Sequence, residues 1–585
     1  MKKLMNIKNW SIIFGVIILL DGCSNSFLDR PPVDSIVDAG FYQTDDQVMA
    51  GTALLYSLAW FDFNDKASFS LADFRSGVAR DMWSWKDNIK FATTPEAPEN
   101  AQAWQAFFNV IGQANTARTN IERYAGSEVT PAVKQAAIGE THFMHALAYR
   151  YLVMNYGEVP IITDNQALLA DPLSVRKNTV SSIWKFICTE MRQAVDELPE
   201  TPYAVGRVTK WSAEGMLARF YLTRAGVESS GGPRNQQFLD SAKYYADRVI
   251  RLSGKKLLSN YRDLFLAAPT GTNYNNNNES LFELQWVYTP TMRYGYNNST
   301  ISQIALDPTI TGNGDAWGGS MTATFWMLSQ YEGIAPYGTT GDSLQGRTLD
   351  QRLHETFFMP GFVYPEITRI INGESQNPFV FPNNTLGSSF NGGGVSDPSP
   401  ANIKKYIIGN KVDVGGNSDK QNYPNDTYMM RLAEMYLIYA EAVLGNNPST
   451  TDPTAIEYFN AVHTRAGLPP YDVSPQGNGP LTWDKIFRER CCEFAMEATI
   501  WYDLVQLHYW NPQKTFDIIN SQYRGIFAIY PDVFPNPSKW TIVKTSWSEI
   551  TTITANEGNF KLPIPAAEAV AAPNLQEPAV DYYAQ

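Results

Sequence analysis

Apolar residues recur every three to four positions along several long stretches of the chain, which is the spacing of one face of an α-helix. Asp45 is expected to cap a first helix that runs to about Leu58, and Thr482 to cap a late one, because both side chains can accept hydrogen bonds from a first helical turn. The pattern predicts a mainly α-helical protein, with its main helices over residues 101–124, 131–156, 181–198, 212–225, 238–252, 428–444, 453–466 and 482–508.

The predicted helices arrive in pairs along the chain. Small residues such as Ala213, Gly215 and Ala218 lie beside the bulky Phe220 and Tyr221. Paired helices with small and large residues side by side are typical of stacked helical hairpins of the tetratricopeptide kind. We therefore expect these helices to stack as hairpins rather than to form a simple bundle.

Two stretches lack the helical period. Residues 60–100 mix Trp, Asp, Gly and Pro and are predicted to form a long loop. Residues 261–427 are rich in Asn, Gly, Pro and Thr and contain short strand-like runs at 280–287 and 379–381. We interpret residues 261–427 as a loop-rich lobe that carries the ligand site, because binding residues often lie on loops that a rigid scaffold supports. Within one compact fold, this lobe separates two helical regions, 23–260 and 428–585.

The first 22 residues are predicted to be a signal peptide. Lys2 and Lys3 precede an apolar run at 11–20, which is too short to cross a bilayer because a spanning helix needs about 20 residues. The following Leu20-Asp21-Gly22-Cys23 looks like a lipoprotein cleavage box, so Cys23 is expected to become the lipidated first residue of the mature chain. The alternative is an ordinary secretory signal beside an incidental cysteine.

Composition narrows the classes of partner. The formal net charge of -13 argues against nucleic acid, because a phosphate backbone attracts basic surfaces. Cys188, Cys491 and Cys492 provide no disulfide framework and are expected to be small core residues. Most of the 15 Trp, 31 Tyr and 30 Phe must lie in the core. In an exported protein, however, some aromatic faces can stack on the apolar C–H face of a sugar ring.

Three aromatic clusters in the predicted loops form the candidate ligand site. Trp83 and Trp85 alternate with polar residues, so an extended backbone would place both rings on one face. Tyr294 and Tyr296 flank a glycine, and Trp317 precedes two glycines that would leave its ring bare. The alternative is that these rings pack the loops onto the core. Hydrogen bonds to sugar hydroxyls are expected from the polar neighbours of the first cluster, Arg80, Asp81 and Asn88.

The sequence offers little support for catalysis. Glu434 and Glu441 lie seven residues apart on one helix face, but ion pairing with Arg431 or Arg490 is a simpler interpretation than a catalytic pair. The chain contains no G-x-S-x-G elbow, phosphate loop or dinucleotide fingerprint. We therefore predict that the protein is not an enzyme and has no catalytic residues.

Metal binding finds equally little support. A zinc site on a helix needs the H-E-x-x-H spacing, and a helix–loop–helix calcium site needs its own regular spacing of oxygen ligands. We predict no metal site and no cofactor, with calcium as the alternative. Neither spacing occurs in the two groups that come closest, which are Glu140, His142 and His145, and Asp413, Asn417 and Asp419.

Several motifs, in order along the mature chain, resemble the RagB/SusD family. Residues 431–442, Arg-Leu-Ala-Glu-Met-Tyr-Leu-Ile-Tyr-Ala-Glu-Ala, are close to the most recognisable helix of that family. The chain departs from the family pattern at Cys491-Cys492, at 498–500 and at 577–580, which concern helix packing and the tail. The other similar segments, each weak alone but specific in their order, lie at 27–32, 139–149, 157–160, 206–210, 465–469, 488–505 and 562–576.

The resemblance implies a scaffold of four tetratricopeptide-like hairpins with a loop-rich, small-strand lobe. It also implies lipid attachment through Cys23 to the outer face of the outer membrane, and a SusC-like TonB-dependent transporter as partner. Family members bind oligosaccharides. We therefore expect a non-enzymatic lipoprotein that captures an oligosaccharide or polysaccharide at the cell surface and delivers it to the transporter.

Three other functions stay open on the sequence. The first is a peptide-binding import lipoprotein of the same fold. The second is a secreted glycoside hydrolase, which needs two carboxyl groups about 5–9.5 Å apart across a cleft. The third is a structural adaptor that binds the transporter and no small ligand.

Overall fold

A computed structural model describes residues 38–81, 84–229, 231–266, 275–291, 294–312, 314, 316–336, 342–382, 401–545 and 552–584. The predicted signal peptide, Cys23 and Trp83 lie outside the described residues. No helix in this part of the chain is both long enough and apolar enough to cross a membrane.

Helices make up most of the regular structure. The longer ones are α1 (Asp45–Gly51), α2 (Pro98–Tyr124), α3 (Pro131–Tyr156), α4 (Val180–Glu197), α5 (Lys210–Val227), α6 (Gln236–Leu252), α7 (Leu432–Leu444), α8 (Pro453–Arg465), α9 (Trp483–Phe494), α10 (Ile500–Trp510) and α11 (Pro512–Asn520). Short α-helices lie at Asp38–Phe41, Phe74–Ser76, Lys86–Ile89, Asn165–Ala170, Thr300–Ile304, Pro308–Thr311, Phe325–Leu328, Gln351–Thr356 and Ala566–Ala571. Single 3₁₀ turns lie at Ala53–Tyr56, Leu58–Trp60, Pro172–Ser174, Tyr261–Leu264, Gly318–Ser320, Glu557–Phe560 and Pro573–Gln576.

Consecutive helices from α2 to α8 pack against one another in chain order, and α9 and α10 lie on α7 and α5. Residues 139–156 of α3 are all buried, as expected for a helix with neighbours on every side. The predicted mainly α fold of stacked helical hairpins is confirmed.

The helix boundaries from α2 to α6 agree with the sequence prediction within three residues. Thr482 caps α9 as predicted, accepting the N–H of Lys485 at 3.4 Å. The predicted cap at Asp45 is wrong, since Thr44 caps α1. The Asp45 carboxylate instead accepts the N–H of Thr130 at 2.7 Å and so holds the start of α3.

Residues 60–100 are not one long loop, as the sequence suggested. Helical turns continue to Phe74–Ser76 and include two π-helical stretches, Phe63–Ala67 and Phe69–Asp73. A π-helix has wider turns than an α-helix, so its apolar residues do not recur at a spacing of 3.6. This explains why the hydrophobic pattern did not reveal these turns.

Two other helix predictions are wrong in part. Residues 427–431 form strand β12 rather than the start of α7, because a partner strand, β2 (Ser280–Leu284), lies beside them. The predicted helix 482–508 is broken between α9 and α10, where Met496 and Ala498 have φ of 64° and 52°. A left-handed backbone of this kind ends a helix.

The remaining strands are short and belong mostly to residues 261–427. They are β1 (Ala79–Arg80), β3 (Thr322–Ala323), β4 (Ile334–Pro336), β5 (Ser343–Gly346), β6 (Phe357–Phe358), β7 (Val363–Tyr364), β8 (Arg369–Ile371), β9 (Glu374–Gln376), β10 (Phe379–Val380), β11 (Asn402–Ile403), β13 (Phe527–Pro531) and β14 (Trp540–Lys544). The strand-like runs at 280–287 and 379–381 are therefore confirmed as β2 and β10.

These strands form small antiparallel sheets. One has the order β1-β3-β11-β6, another β13-β14-β5-β4, and three are pairs, β2–β12, β7–β10 and β8–β9. Strands from outside residues 261–427 thus complete several of the sheets in the lobe. The predicted division of the chain at 260/261 and 427/428 stays a prediction.

A buried ionic network joins the lobe to the C-terminal helices. Arg431 is 1% exposed. Its guanidinium donates to Glu279 at 2.6 Å, to Glu493 at 2.8 Å and to Glu497 at 2.8 and 2.9 Å. Charges this deep are tolerated only when they are paired and hydrogen-bonded. The network therefore fixes how the lobe sits on the scaffold.

Candidate functional site

The loop after β1 and the loop before β3 are held together. Strand β1 pairs with β3, and just beyond the pair the hydroxyl of Ser320 donates to the carboxylate of Asp81 at 2.5 Å. The two loops that carry the first and third predicted clusters therefore meet at Asp81 and Ser320.

The loop that carries Trp317 also lies on the short helix Thr300–Ile304. The N–H of Trp317 donates to the carbonyl of Ser302 at 2.9 Å. The next residue must be glycine, because a Cβ at Gly318 would lie 2.0 Å from the carbonyl oxygen of Ile304. This close approach fixes the backbone next to Trp317.

Tyr294 and Tyr296 come just before the same short helix. The hydroxyl of Tyr294 donates to Asp65 at 2.6 Å, and its ring packs edge-on against Phe61 at a centroid distance of 5.3 Å. Burial and the Asp65 carboxylate raise the pKa of Tyr294, so its hydroxyl remains protonated and keeps donating. The second predicted cluster therefore lies just before the short helix that the Trp317 loop contacts.

Three of the predicted rings have open faces. Tyr294 is 42% exposed, Tyr296 56% and Trp317 47%. The Tyr294 hydroxyl and the Trp317 N–H are hydrogen-bonded within the protein. About half of each of the three side chains remains exposed, as an aromatic ring needs in order to stack on a flat or apolar ligand face. We call these three residues the aromatic platform.

The first cluster contributes less open aromatic surface. Trp83 lies outside the described residues. Trp85 is half-buried, and its ring packs against Phe69 and Phe74 at centroid distances of 5.3 and 6.2 Å. The alternative interpretation, that a loop ring packs onto the core, therefore describes most of the Trp85 ring.

The polar neighbours of that cluster are inside the protein. Arg80, Asp81 and Asn88 are each at most 1% exposed. Asn88 donates to Glu99 at 2.9 Å and accepts from Thr93 at 2.6 Å. Direct hydrogen bonds from these side chains to sugar hydroxyls do not fit such burial. Their contacts hold the loop in place from the inside.

Comparison with known proteins gives the family. Residues 28–222 match the family described as "Starch-binding associating with outer membrane", and residues 267–582 match the family described as "SusD family". A SusD-like protein of Bacteroides ovatus is 34% identical over 587 residues, covering 98% of this chain and 97% of the relative. The chain belongs to the SusD family. The resemblance seen in the sequence motifs is thereby confirmed, and outer-membrane association is a property of the family.

Solved structures of SusD-like proteins share the fold. A structure solved with a xylogluco-oligosaccharide is 30% identical, covers 92% of this chain and 99% of its own, and superposes with a TM-score of 0.75. A laminarin-binding SusD-like protein is 20% identical, covers 91% of this chain and 98% of its own, and superposes with a TM-score of 0.59. The second likeness concerns the fold alone.

Sequence reasoning missed two residues beside the platform of this SusD-family protein. Asp65 accepts the Tyr294 hydroxyl, and the Lys66 ammonium lies 5.7 Å from the Tyr294 ring centroid and 3.4 Å from the Asp65 carboxylate. Both lie in the stretch that was predicted to be a loop. The sequence signal that could have pointed to them is an acid followed directly by a base, Asp65-Lys66, in a stretch rich in aromatic residues.

A cluster of side-chain oxygens from Asn276, Glu283, Gln285 and Asp426 lies beside the β2–β12 pair. Asn276 donates its N–H to Glu283 at 2.8 Å and its amide N–H to Asp426 at 3.2 Å and to Gln285 at 2.9 Å. Two carboxyl and two amide groups thus converge, and calcium prefers such oxygen ligands. Among the described residues, no group of three or more His, Cys, Asp or Glu could hold a metal ion.

The metal candidates from the sequence have other partners. Asp413 accepts the N–H groups of Thr368 at 2.9 Å and Asn410 at 2.7 Å, and the Asp419 carboxylate accepts from Lys420. On the other group, Glu140 pairs with Arg207, while His142 and His145 both contact Glu190.

The two glutamates considered for catalysis form buried ion pairs. Glu434 binds Arg219 and lies 3.3 Å from Arg490, and Glu441 lies 2.7 Å from Arg234. Burial raises the pKa of Glu434, but Arg219 and Arg490 outweigh it and lower the pKa to about 2. Ion pairing with Arg490 is confirmed. The suggested pairing with Arg431 is wrong, because the Arg431 guanidinium bonds to Glu279, Glu493 and Glu497 instead.

Proposed function

We propose that this SusD-family chain captures a glycan at the cell surface and delivers it to a SusC-like TonB-dependent transporter. A lipid on Cys23 would hold it to the outer membrane. The observation that carries the binding role is the aromatic platform, in which Tyr294, Tyr296 and Trp317 expose open faces on hydrogen-bonded neighbouring segments. The protein itself performs no chemistry on its ligand.

The ligand class follows from the chemistry of the platform. Aromatic faces stack on apolar C–H faces of pyranose rings, while Lys66 and the tyrosine hydroxyls offer hydrogen-bonding groups at the edge. By analogy with nucleobases, each stack contributes about 1–3 kcal/mol. Two or three stacks support dissociation constants from about 1 mM to about 1 µM. The relative solved with a xylogluco-oligosaccharide makes xyloglucan fragments the first ligand to test.

Calorimetry and affinity electrophoresis of the mature chain, from Ser24 on, test this proposal. The panel contains xyloglucan, starch, laminarin, mannan, xylan, pectin, host glycans and a peptide pool. We expect one glycan class to bind and Trp317→Ala to weaken that binding by about tenfold. The matched control is Tyr203→Ala, because Tyr203 is 45% exposed but lies on another loop and bonds to Asp46.

Each outcome separates one of the alternatives. Binding of peptides without glycans would replace the ligand class and leave the import role in place. Release of shorter sugars from a polysaccharide would contradict the non-enzymatic role. Binding of the transporter without any small ligand would favour the structural adaptor. Equal loss in the Trp317 and Tyr203 variants would place the site elsewhere.

A further inference from the structure

We propose that Asp65 is the positioning residue of the ligand site, and that its buried carboxylate sets the places of both Tyr294 and Trp317. This inference rests on the glycan site proposed above and adds a residue that acts through the platform rather than by touching ligand. Asp65 is 1% exposed and lies in the π-helical stretch Phe63–Ala67. Wide turns of this kind occur often at functional sites.

The two carboxylate oxygens of Asp65 accept hydrogen bonds from different elements. Oδ2 accepts the hydroxyl of Tyr294 at 2.6 Å. Oδ1 accepts the hydroxyl of Ser299 at 2.5 Å and the amide N–H of Gln303 at 3.0 Å. The Asp65 carboxylate is therefore hydrogen-bonded both to the platform residue Tyr294 and to the short helix Thr300–Ile304, which follows Tyr294 in the sequence.

The second ring is reached through that short helix. Ser299 precedes it and Gln303 lies within it, so Asp65 fixes the helix on one side. Its carbonyl at Ser302 accepts the N–H of Trp317 at 2.9 Å. Because Gly318 leaves no room for even a Cβ, the Trp317 loop must follow any displacement of the helix.

A side chain with two accepting oxygens suits this place. It accepts at both oxygens and has lone pairs for about four hydrogen bonds, whereas an asparagine would turn an NH₂ group toward one set of donors. Hydrogen bonds to a charged acceptor are also stronger than neutral ones. Lys66, 3.4 Å from Asp65, supplies the neighbouring positive charge.

A matched control exists in the next π-helical stretch, Phe69–Asp73. Asp73 is also 1% exposed, but it accepts the N–H groups of Met496 at 3.1 Å and Ala498 at 3.2 Å. Burial raises the pKa of Asp73 to about 8. Asp73→Asn therefore changes a buried carboxyl group of the same segment without touching the supports of the platform.

The experiment compares Asp65→Asn, Asp73→Asn, Tyr294→Phe and the double variant Asp65→Asn/Tyr294→Phe. Tyr294→Phe keeps the exposed ring and removes the hydroxyl, which donates to Asp65 at 2.6 Å and accepts from Lys66 at 3.5 Å. Calorimetry measures binding of the glycan that the wild type prefers. In parallel, ¹⁹F NMR of protein labelled with 5-fluorotryptophan follows the Trp317 resonance, which is assigned by its loss in Trp317→Phe.

We expect Asp65→Asn to weaken glycan binding by about tenfold and Asp73→Asn by no more than about twofold. The effect of Asp65→Asn should be smaller when Tyr294 is already phenylalanine, since coupled residues do not add. The Trp317 resonance should shift or broaden in Asp65→Asn and stay in place in Asp73→Asn.

An unmoved Trp317 resonance in Asp65→Asn overturns the inference, and so does equal weakening of binding by the two asparagine variants. If the wild type binds no glycan, the proposed function fails instead. The NMR comparison still decides whether Asp65 positions Trp317, because it needs no ligand.

Discussion

The carboxyl groups of Glu283 and Asp426 contact each other inside the protein, one on strand β2 and the other just before β12. Both are less than 5% exposed. Burial comes first among the causes that raise the pKa of each group, and the neighbouring carboxyl raises that of Asp426 further. Two such groups cannot both ionise at close range, so they share a proton near neutral pH.

Calcium binding, the alternative to the predicted absence of a metal site, can be tested at Glu283 and Asp426. If calcium binds there, it replaces the shared proton and raises the unfolding temperature of the wild type, and Glu283→Gln together with Asp426→Asn abolishes the effect. At a calcium concentration of a hundred times Kd the gain is about 2.7 kcal/mol. Differential scanning calorimetry with EDTA and then with calcium provides the measurement. An equal calcium response in wild type and variant would exclude this pair as the ligand set.

Without metal, the same pair should make stability depend on pH. A carboxyl group whose folded pKa is raised stabilises the fold fully below its unfolded pKa, which is about 4.3 for glutamate. That contribution is lost as pH rises through the raised folded value. We therefore expect Glu283→Gln, in EDTA, to reduce the fall in unfolding free energy between about pH 5 and pH 9. Urea unfolding at several pH values measures this fall. If the unfolding free energy of wild type and variant changed in parallel with pH, the prediction would be wrong.

The ionic network around Arg431 should be far more sensitive than a surface ion pair. Arg431→Met leaves Glu279, Glu493 and Glu497 short of one buried partner, and breaking such a pair costs about 3–5 kcal/mol. Arg251→Met is the control, because Arg251 is exposed and pairs with Asp247 and Tyr458. Urea denaturation compares the two. Similar urea midpoints for the two variants would mean that Arg431 contributes little to the free energy of unfolding.

Gly318→Ala should displace the Trp317 loop although it adds only one methyl group. The new Cβ would overlap the Ile304 carbonyl oxygen at 2.0 Å, so the Trp317 loop must move and both stability and glycan affinity should fall. In Gly112→Ala, within α2, the Cβ meets nothing within 4 Å. That control should gain about 0.5–1 kcal/mol, since alanine favours a helix over glycine. Unchanged affinity in Gly318→Ala would argue against a fixed Trp317 loop.

Lipid attachment at Cys23 can be tested by cell fractionation. Cys23→Ser should move the protein from the membrane fraction to the soluble fraction, because the thiol that carries the lipid is gone. Cys188→Ser is the control, since Cys188 is a buried free cysteine in α4. Membrane retention of the Cys23 variant would favour the ordinary secretory signal.

The sequence by itself determined helices α2 to α6, the family and the three aromatic positions that are exposed in the structure. The helix boundaries from α2 to α6 followed from apolar spacing, because local periodicity and tertiary burial agree there. Tyr294, Tyr296 and Trp317 stood out because each lies next to a glycine, which leaves room around an aromatic ring. The order of the weak motifs was enough for the family, since no single motif had to be strong.

The tertiary structure alone decided which polar groups meet. Arg80, Asp81 and Asn88 look like ligand residues in the sequence, yet they are buried because the β1–β3 pair draws that loop inward. Asp65 looks like a loop residue, yet its carboxylate accepts the hydroxyl of Tyr294, which lies more than 200 positions away in the sequence. Contacts at such separations depend on how distant elements pack, and local hydrophobic periodicity carries no information about that packing.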